Sequence, residues 1–124
     1  MQDNKSRLEE MKVTVVLRAA RAALGISQAE LALQLGVSQS AVARCERGTG
    51  TIAANTMLRA VKFFGEQGID ITGILEESPA LILGEELFTR AYDAEREEKA
   101  RLARSAMEKR FGSGAADGGR GDDN

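Results

Sequence analysis

Apolar residues recur at Val13, Val16, Leu17, Ala20 and Leu24, the i, i+3, i+4, i+7, i+11 spacing of an amphipathic helix. Gly25 supplies its stop. Ser27 opens the next element. Its hydroxyl can accept from the Glu30 N–H while the Glu30 carboxylate reaches back, so Ser27-Gln-Ala-Glu30 reads as a capping box. Ile26 and Leu31 flank it as a hydrophobic staple, and Leu31, Ala32 and Leu35 form a buried face. Gly36, where a positive φ is expected, stops this helix after barely two turns. Ser38 then caps a third helix, with Val37 and Val42 repeating the staple, and Gly48 ends it. A fourth helix is predicted at about Ala53–Gln67, with Met57, Leu58, Val61 and Phe64 facing inward.

The period then changes. Ile69–Leu75 alternates apolar and β-branched residues with polar ones, Glu76–Pro79 has turn character, and Ala80–Leu83 is a second short apolar run. These predict a β-hairpin. A competing reading starts a helix at Pro79 with Ser78 as its cap. Glu85–Phe111 is rich in Ala, Glu, Lys, Arg and Leu and has no proline, which predicts a long charged helix with a thin apolar face. The first ten residues, polar and without period, read as a flexible arm, and 112–124, rich in Gly and Asp, as a disordered tail. The fold class is therefore mainly α: a compact helical domain over 11–68, then a hairpin and long helix over 69–111 that would serve oligomerisation or a partner.

Composition narrows the chemistry. The chain has 124 residues, one cysteine and no histidine. An intrachain disulfide, a histidine triad, a zinc finger and a histidine metal site are excluded. There is no paired-carboxylate constellation and no glycine loop between a strand and a helix to cradle phosphate. An enzyme is not expected, nor a metal or other cofactor. No run approaches the ~18 apolar residues of a membrane span, so no membrane partner is expected. Met1–Glu10 lacks the apolar stretch of a secretory signal, so the expected compartment is the cytoplasm, at the nucleoid when bound to DNA. The net charge is −2, but it is unevenly spread. Met11–Gly68 has seven bases and three acids, while Ile69–Asn124 has eight bases and thirteen acids. A basic front and an acidic back suit a nucleic-acid reader joined to a partner region.

The second and third helices carry the sharpest signal. Ala32 is small where two helices must cross, Gly36 follows four residues later, and Val42 is β-branched six residues after that. This set lets the third helix cross the second steeply while Gln39 and Ser40 point outward. Leu17–Asp70, and most specifically LGISQAELALQLGVSQSAVARCERG, resembles the Cro/C1-type (XRE-like) helix-turn-helix regulators. The resemblance covers a little under half the chain and departs in the loop after Gly48. There the family's basic residues and proline are absent, and Ile52 stands at the proline position.

The resemblance implies a helix-turn-helix at Gln28–Arg47 and roles for particular residues. Gln39 and Ser40 match positions that reach base edges, and Arg44 matches a base- or backbone-contacting position. Gln28 matches a glutamine that binds a phosphate and can brace Gln39. Arg21 and Glu46 match a structural Arg–Glu pair. Ser38, Arg47, Arg18 and Asn55 are further candidates for backbone contact. The chemistry suits these roles: a glutamine amide matches adenine N7 and N6, and a guanidinium matches guanine or a phosphate. Cys45, three residues after Val42, reads as a small core filler. The implied protein is a regulator binding double-stranded DNA as a homodimer, with repression the simpler mechanism. Its dimer surface would be the hairpin edge or the thin stripe of Glu85–Phe111. RNA polymerase or another regulatory protein could meet the acidic C-terminal helix. The alternative is an antitoxin or other interaction module whose C-terminal helix clasps a partner and whose DNA binding is autoregulatory.

Overall fold

The structure is a computed structural model that describes residues 4–112. The elements run α1 (Asn4–Leu24), α2 (Gln28–Leu35), α3 (Gln39–Arg47), α4 (Ala54–Glu66), β1 (Ile69–Asp70), β2 (Ile82–Leu83) and α5 (Glu85–Met107), with a closing π-helical turn at Glu108–Gly112. The mainly helical class, the hairpin and the long last helix are as expected. The chain divides into two compact units, one ending at Leu87 and the other beginning at Phe88.

Local chemistry sets the boundaries in the first unit. Ser27 Oγ accepts from Glu30 N at 3.0 Å, and Ser27 N donates to Glu30 Oε1 at 3.0 Å, which completes the capping box. Ser38 Oγ accepts from Ala41 N at 3.1 Å. Gly36 and Gly48 end their helices at φ +69° and +77°, a region that any β-carbon disfavours. Leu17, Leu31, Leu35, Val42, Phe64, Ile69 and Ile71 are fully buried and form one core. α2 packs across both α3 and α4, and α1 packs on α3.

Three expectations change. The helix begins at Asn4, well inside the stretch read as an arm. Its polar start has a tertiary partner that no periodicity reveals: Arg7 Nη2 donates to the Gly48 carbonyl at 3.2 Å. Leu58 is 70% exposed, so it does not face inward. The buried positions of α4 are Thr56, Ala60 and Phe64, with Met57 and Val61 half-buried beside them. The hairpin exists but is short, pairing only Ile69 with Leu83 and Asp70 with Ile82. Asp70 Oδ1 accepts from Thr72 N at 2.8 Å and Thr72 Oγ1 at 2.6 Å, a local turn that competes with the ladder. Ile71 and Ile74 are buried in the core, and turns close through Ile74 N to Ile71 O and Glu76 N to Gly73 O. Pro79 begins no helix. The last helix starts after Gly84.

In the second unit, Phe88–Phe111 is helical and exposed, apart from a half-buried Ser105. The expected tail lies, beyond Gly112, outside the described residues. Among the described residues no helix is long and apolar enough to cross a membrane, and no cluster of three or more His, Cys, Asp or Glu could hold a metal.

Candidate nucleic-acid interface

A nine-residue helix is marginal alone, and its last carbonyls lack partners unless something outside supplies donors. In α3 the following Gly48 and Thr49 supply some of those donors, and α1 supplies others, reaching the Gly48 cap as well. Thr14 Oγ1 donates to the Cys45 carbonyl at 2.8 Å, Arg18 Nη1 to the Glu46 carbonyl at 3.1 Å, and Arg7 Nη2 to the Gly48 carbonyl at 3.2 Å. Thr49 N closes the Arg44 carbonyl at 2.9 Å. Cationic donors at a helix C-terminus also oppose its negative dipole end. The C-terminal end of α3 is thus fixed to α1, while its N-terminal end, capped by Ser38, is left facing outward.

A buried polar cluster fixes the rotation of α3 about its axis. Glu46 is only 3% exposed. Arg21 holds it through Nε to Oε2 at 2.7 Å and Nη2 to Oε1 at 2.9 Å. Gln28 Nε2 adds a third donor to Oε1 at 3.0 Å, and the remaining Arg21 nitrogen donates to the Ile26 carbonyl at 2.9 Å. Burial alone would push the Glu46 carboxyl up. The donors from Arg21 and Gln28, with the charges of Arg21 and Arg18, outweigh it and hold the group below its ordinary range. Burial pushes the Cys45 thiol up, helped by the Glu46 charge, which makes it an inert core residue at neutral pH.

With Val42, Cys45 and Glu46 turned inward, the opposite face is set. Ser38, Gln39, Ser40, Arg44 and Arg47 are all exposed. Ser40, Arg44 and Arg47 follow the i, i+4, i+7 spacing of one helical stripe. Arg44 and Arg47 take part in none of the ion pairs among the described residues. Asn55 stands exposed in the first turn of α4, whose Ala53 cap makes no side-chain hydrogen bond.

Two of the expected backbone contacts are placed differently from the rest. Gln28 is half-buried and donates one amide hydrogen to Glu46, so it joins the Arg21–Glu46 cluster and keeps its second N–H and its carbonyl oxygen for a neighbour such as Gln39. Arg18 spends one nitrogen on α3 itself. Sequence reasoning missed Arg7 and Thr14, because a side chain that reaches a distant carbonyl leaves no periodic mark. It also missed Gly50. A β-carbon there would lie 3.1 Å from Arg44 Cβ, so this glycine lets the loop rest against the base of the Arg44 side chain. Ile52, at the position where the resemblance implies a proline, packs half-buried on the core.

Two short helices joined by a left-handed glycine, the second with one face clamped and the other open, define a helix-turn-helix domain. The helix-turn-helix family model matches residues 17–70, a little under half of the chain. No curated protein matches the chain. Among solved structures, the chain is similar to the clp gene regulator ClgR from Corynebacterium glutamicum, with 22% identity and a TM-score of 0.48. The match covers 81% of this chain and 90% of that one.

Proposed function

We propose that this chain is a transcriptional regulator that binds double-stranded DNA sequence-specifically, as a homodimer with one α3 in each half-site of an operator. The observation that carries the reading is the division of α3 into a clamped face and an open one. Val42, Cys45, Glu46 and the C-terminal carbonyls hold the helix on its inner side. What remains exposed is a polar and cationic set suited to groove edges and phosphates. Gln39 and Ser40 reach base edges, and Arg44 adds a donor fork one turn on. Ser38, Arg47, Arg18 and Asn55 supply backbone contact, while Gln28 orients Gln39 from its anchor on Glu46. One such helix reads few base pairs, so two copies are used at half-sites about one DNA turn apart. Occupation of a promoter makes the protein a repressor.

Two substitutions separate the roles. Gln39→Ala is expected to cost about 1–3 kcal/mol on the preferred site, to relax selection at one base position, and to leave binding to random DNA unchanged. Arg47→Ala is expected to weaken binding to every sequence alike and to lower the salt slope by about one. Fluorescence anisotropy on specific and random duplexes over a salt series measures both. An equal loss on the two duplexes for Gln39→Ala would overturn the base-reading assignment.

A further inference from the structure

In α5, large exposed apolar side chains sit on a strongly charged helix. Phe88 is 57%, Tyr92 62% and Leu102 52% exposed. Phe88, Tyr92, Glu95, Lys99, Leu102 and Ala106 follow one another at alternating steps of four and three residues, the a/d seam of a two-helix coiled coil. The seam is palindromic about Glu97. Phe88 and Ala106 lie nine residues to either side of it, Tyr92 and Leu102 five, and Glu95 and Lys99 two.

We propose that two copies of this chain pair through α5 in antiparallel orientation, about a two-fold axis at the level of Glu97. The proposal rests on the homodimer reading and specifies its interface. In that arrangement each residue meets its palindromic counterpart, as a two-fold interface requires. Phe88 packs over the small Ala106 of the second copy, Tyr92 over Leu102, and Glu95 pairs with Lys99, each contact made twice. The parallel alternative sets Phe88 on Phe88, Glu95 on Glu95 and Lys99 on Lys99, and like charges in a seam oppose it. The rest of the helix agrees. Glu85–Glu98 holds six acids and two bases, and Lys99–Phe111 five bases and one acid. Antiparallel pairing lays the acidic half of one helix along the basic half of the other. Within one chain Glu95 and Lys99 already bridge at 3.0 Å, so both side chains lie on the seam side ready to exchange partners.

The test uses the full chain without DNA. Sedimentation equilibrium is expected to give a dimer. Glu95→Lys sets two lysines against each other twice and is expected to weaken the dimer at least roughly tenfold. Glu95→Lys combined with Lys99→Glu is expected to restore it. Orientation is read by oxidation of single-cysteine variants, with the native Cys45 buried and out of reach. Phe88→Cys and Ala106→Cys are expected to cross-link when mixed, and neither alone, because like positions lie about 27 Å apart along an antiparallel pair. Cross-linking of each variant alone would overturn the orientation. A monomer by sedimentation, or a Glu95→Lys chain that dimerises as tightly as the native one, would overturn the interface. A monomer that still selects one DNA sequence defeats the pairing and leaves the base-reading intact, and a dimer without sequence preference does the reverse.

Discussion

Replacing Glu46 by alanine is expected to lower the unfolding free energy by about 3 kcal/mol, the lower end of what breaking a buried ion pair costs. Glu46 is 3% exposed and accepts three hydrogen bonds from Arg21 and Gln28. Without it the Arg21 guanidinium, 21% exposed, keeps its charge but loses its counter-ion, and the Gln28 amide loses its acceptor. The same change frees α3 to rotate, so DNA selectivity should fall along with stability. The effect depends on pH, and its sign follows from the depressed carboxyl. The unfolded chain binds the Glu46 proton more tightly than the folded one. Its contribution is therefore fully present above the ordinary carboxylate value of 4.5 and is lost as pH falls through the lower folded value. Urea titrations from about pH 6 to about pH 3 should show the gap between native and variant chains narrowing with acid. A gap that stays constant or widens contradicts the assignment of the stabilisation to the charged pair.

A second large effect is expected at Phe64. It is fully buried in α4, edge-on to Phe63 with ring centroids 5.2 Å apart, and α4 carries contacts to both α2 and β1. Phe64→Ala opens a cavity under the helix-turn-helix and should cost about 3–5 kcal/mol. That is a large share of the total stability of a small domain. Leu58→Ala on the same helix should stay within about 0.5 kcal/mol, because Leu58 is 70% exposed. Thermal unfolding of the two variants side by side decides it, and a comparable loss at Leu58 would contradict the phase of α4.

That pair also shows where the fold was legible in the sequence. The caps at Ser27, Glu30 and Ser38 and the stops at Gly36 and Gly48 are local devices, each satisfied within a few residues, so the order of the helices could be read directly. The phase of α4 could not, because Thr56 and Ala60 hold its buried stripe and neither is strongly apolar, whereas Leu58 is apolar and points out. The hairpin was readable as two β-like runs. Its shortness was not, and the Thr72 N–H, which a longer ladder could use, donates to the Asp70 carboxylate instead. At the candidate site, the exposed face of α3 and the Arg21–Glu46 pair followed from the resemblance. The carbonyl clamp formed by Arg7, Thr14 and Arg18 did not, because contacts 28 to 41 residues apart in the chain leave no trace in local pattern.

The central claim is that the open face of α3 reads base sequence. It is tested most directly by selecting bound duplexes from a random DNA pool with the 124-residue chain. One palindromic motif is expected to be enriched, with half-sites about one helical turn apart and, for Gln39→Ala, altered selection at a single position in each half-site. A pool that comes through repeated selection with no enriched motif would contradict it.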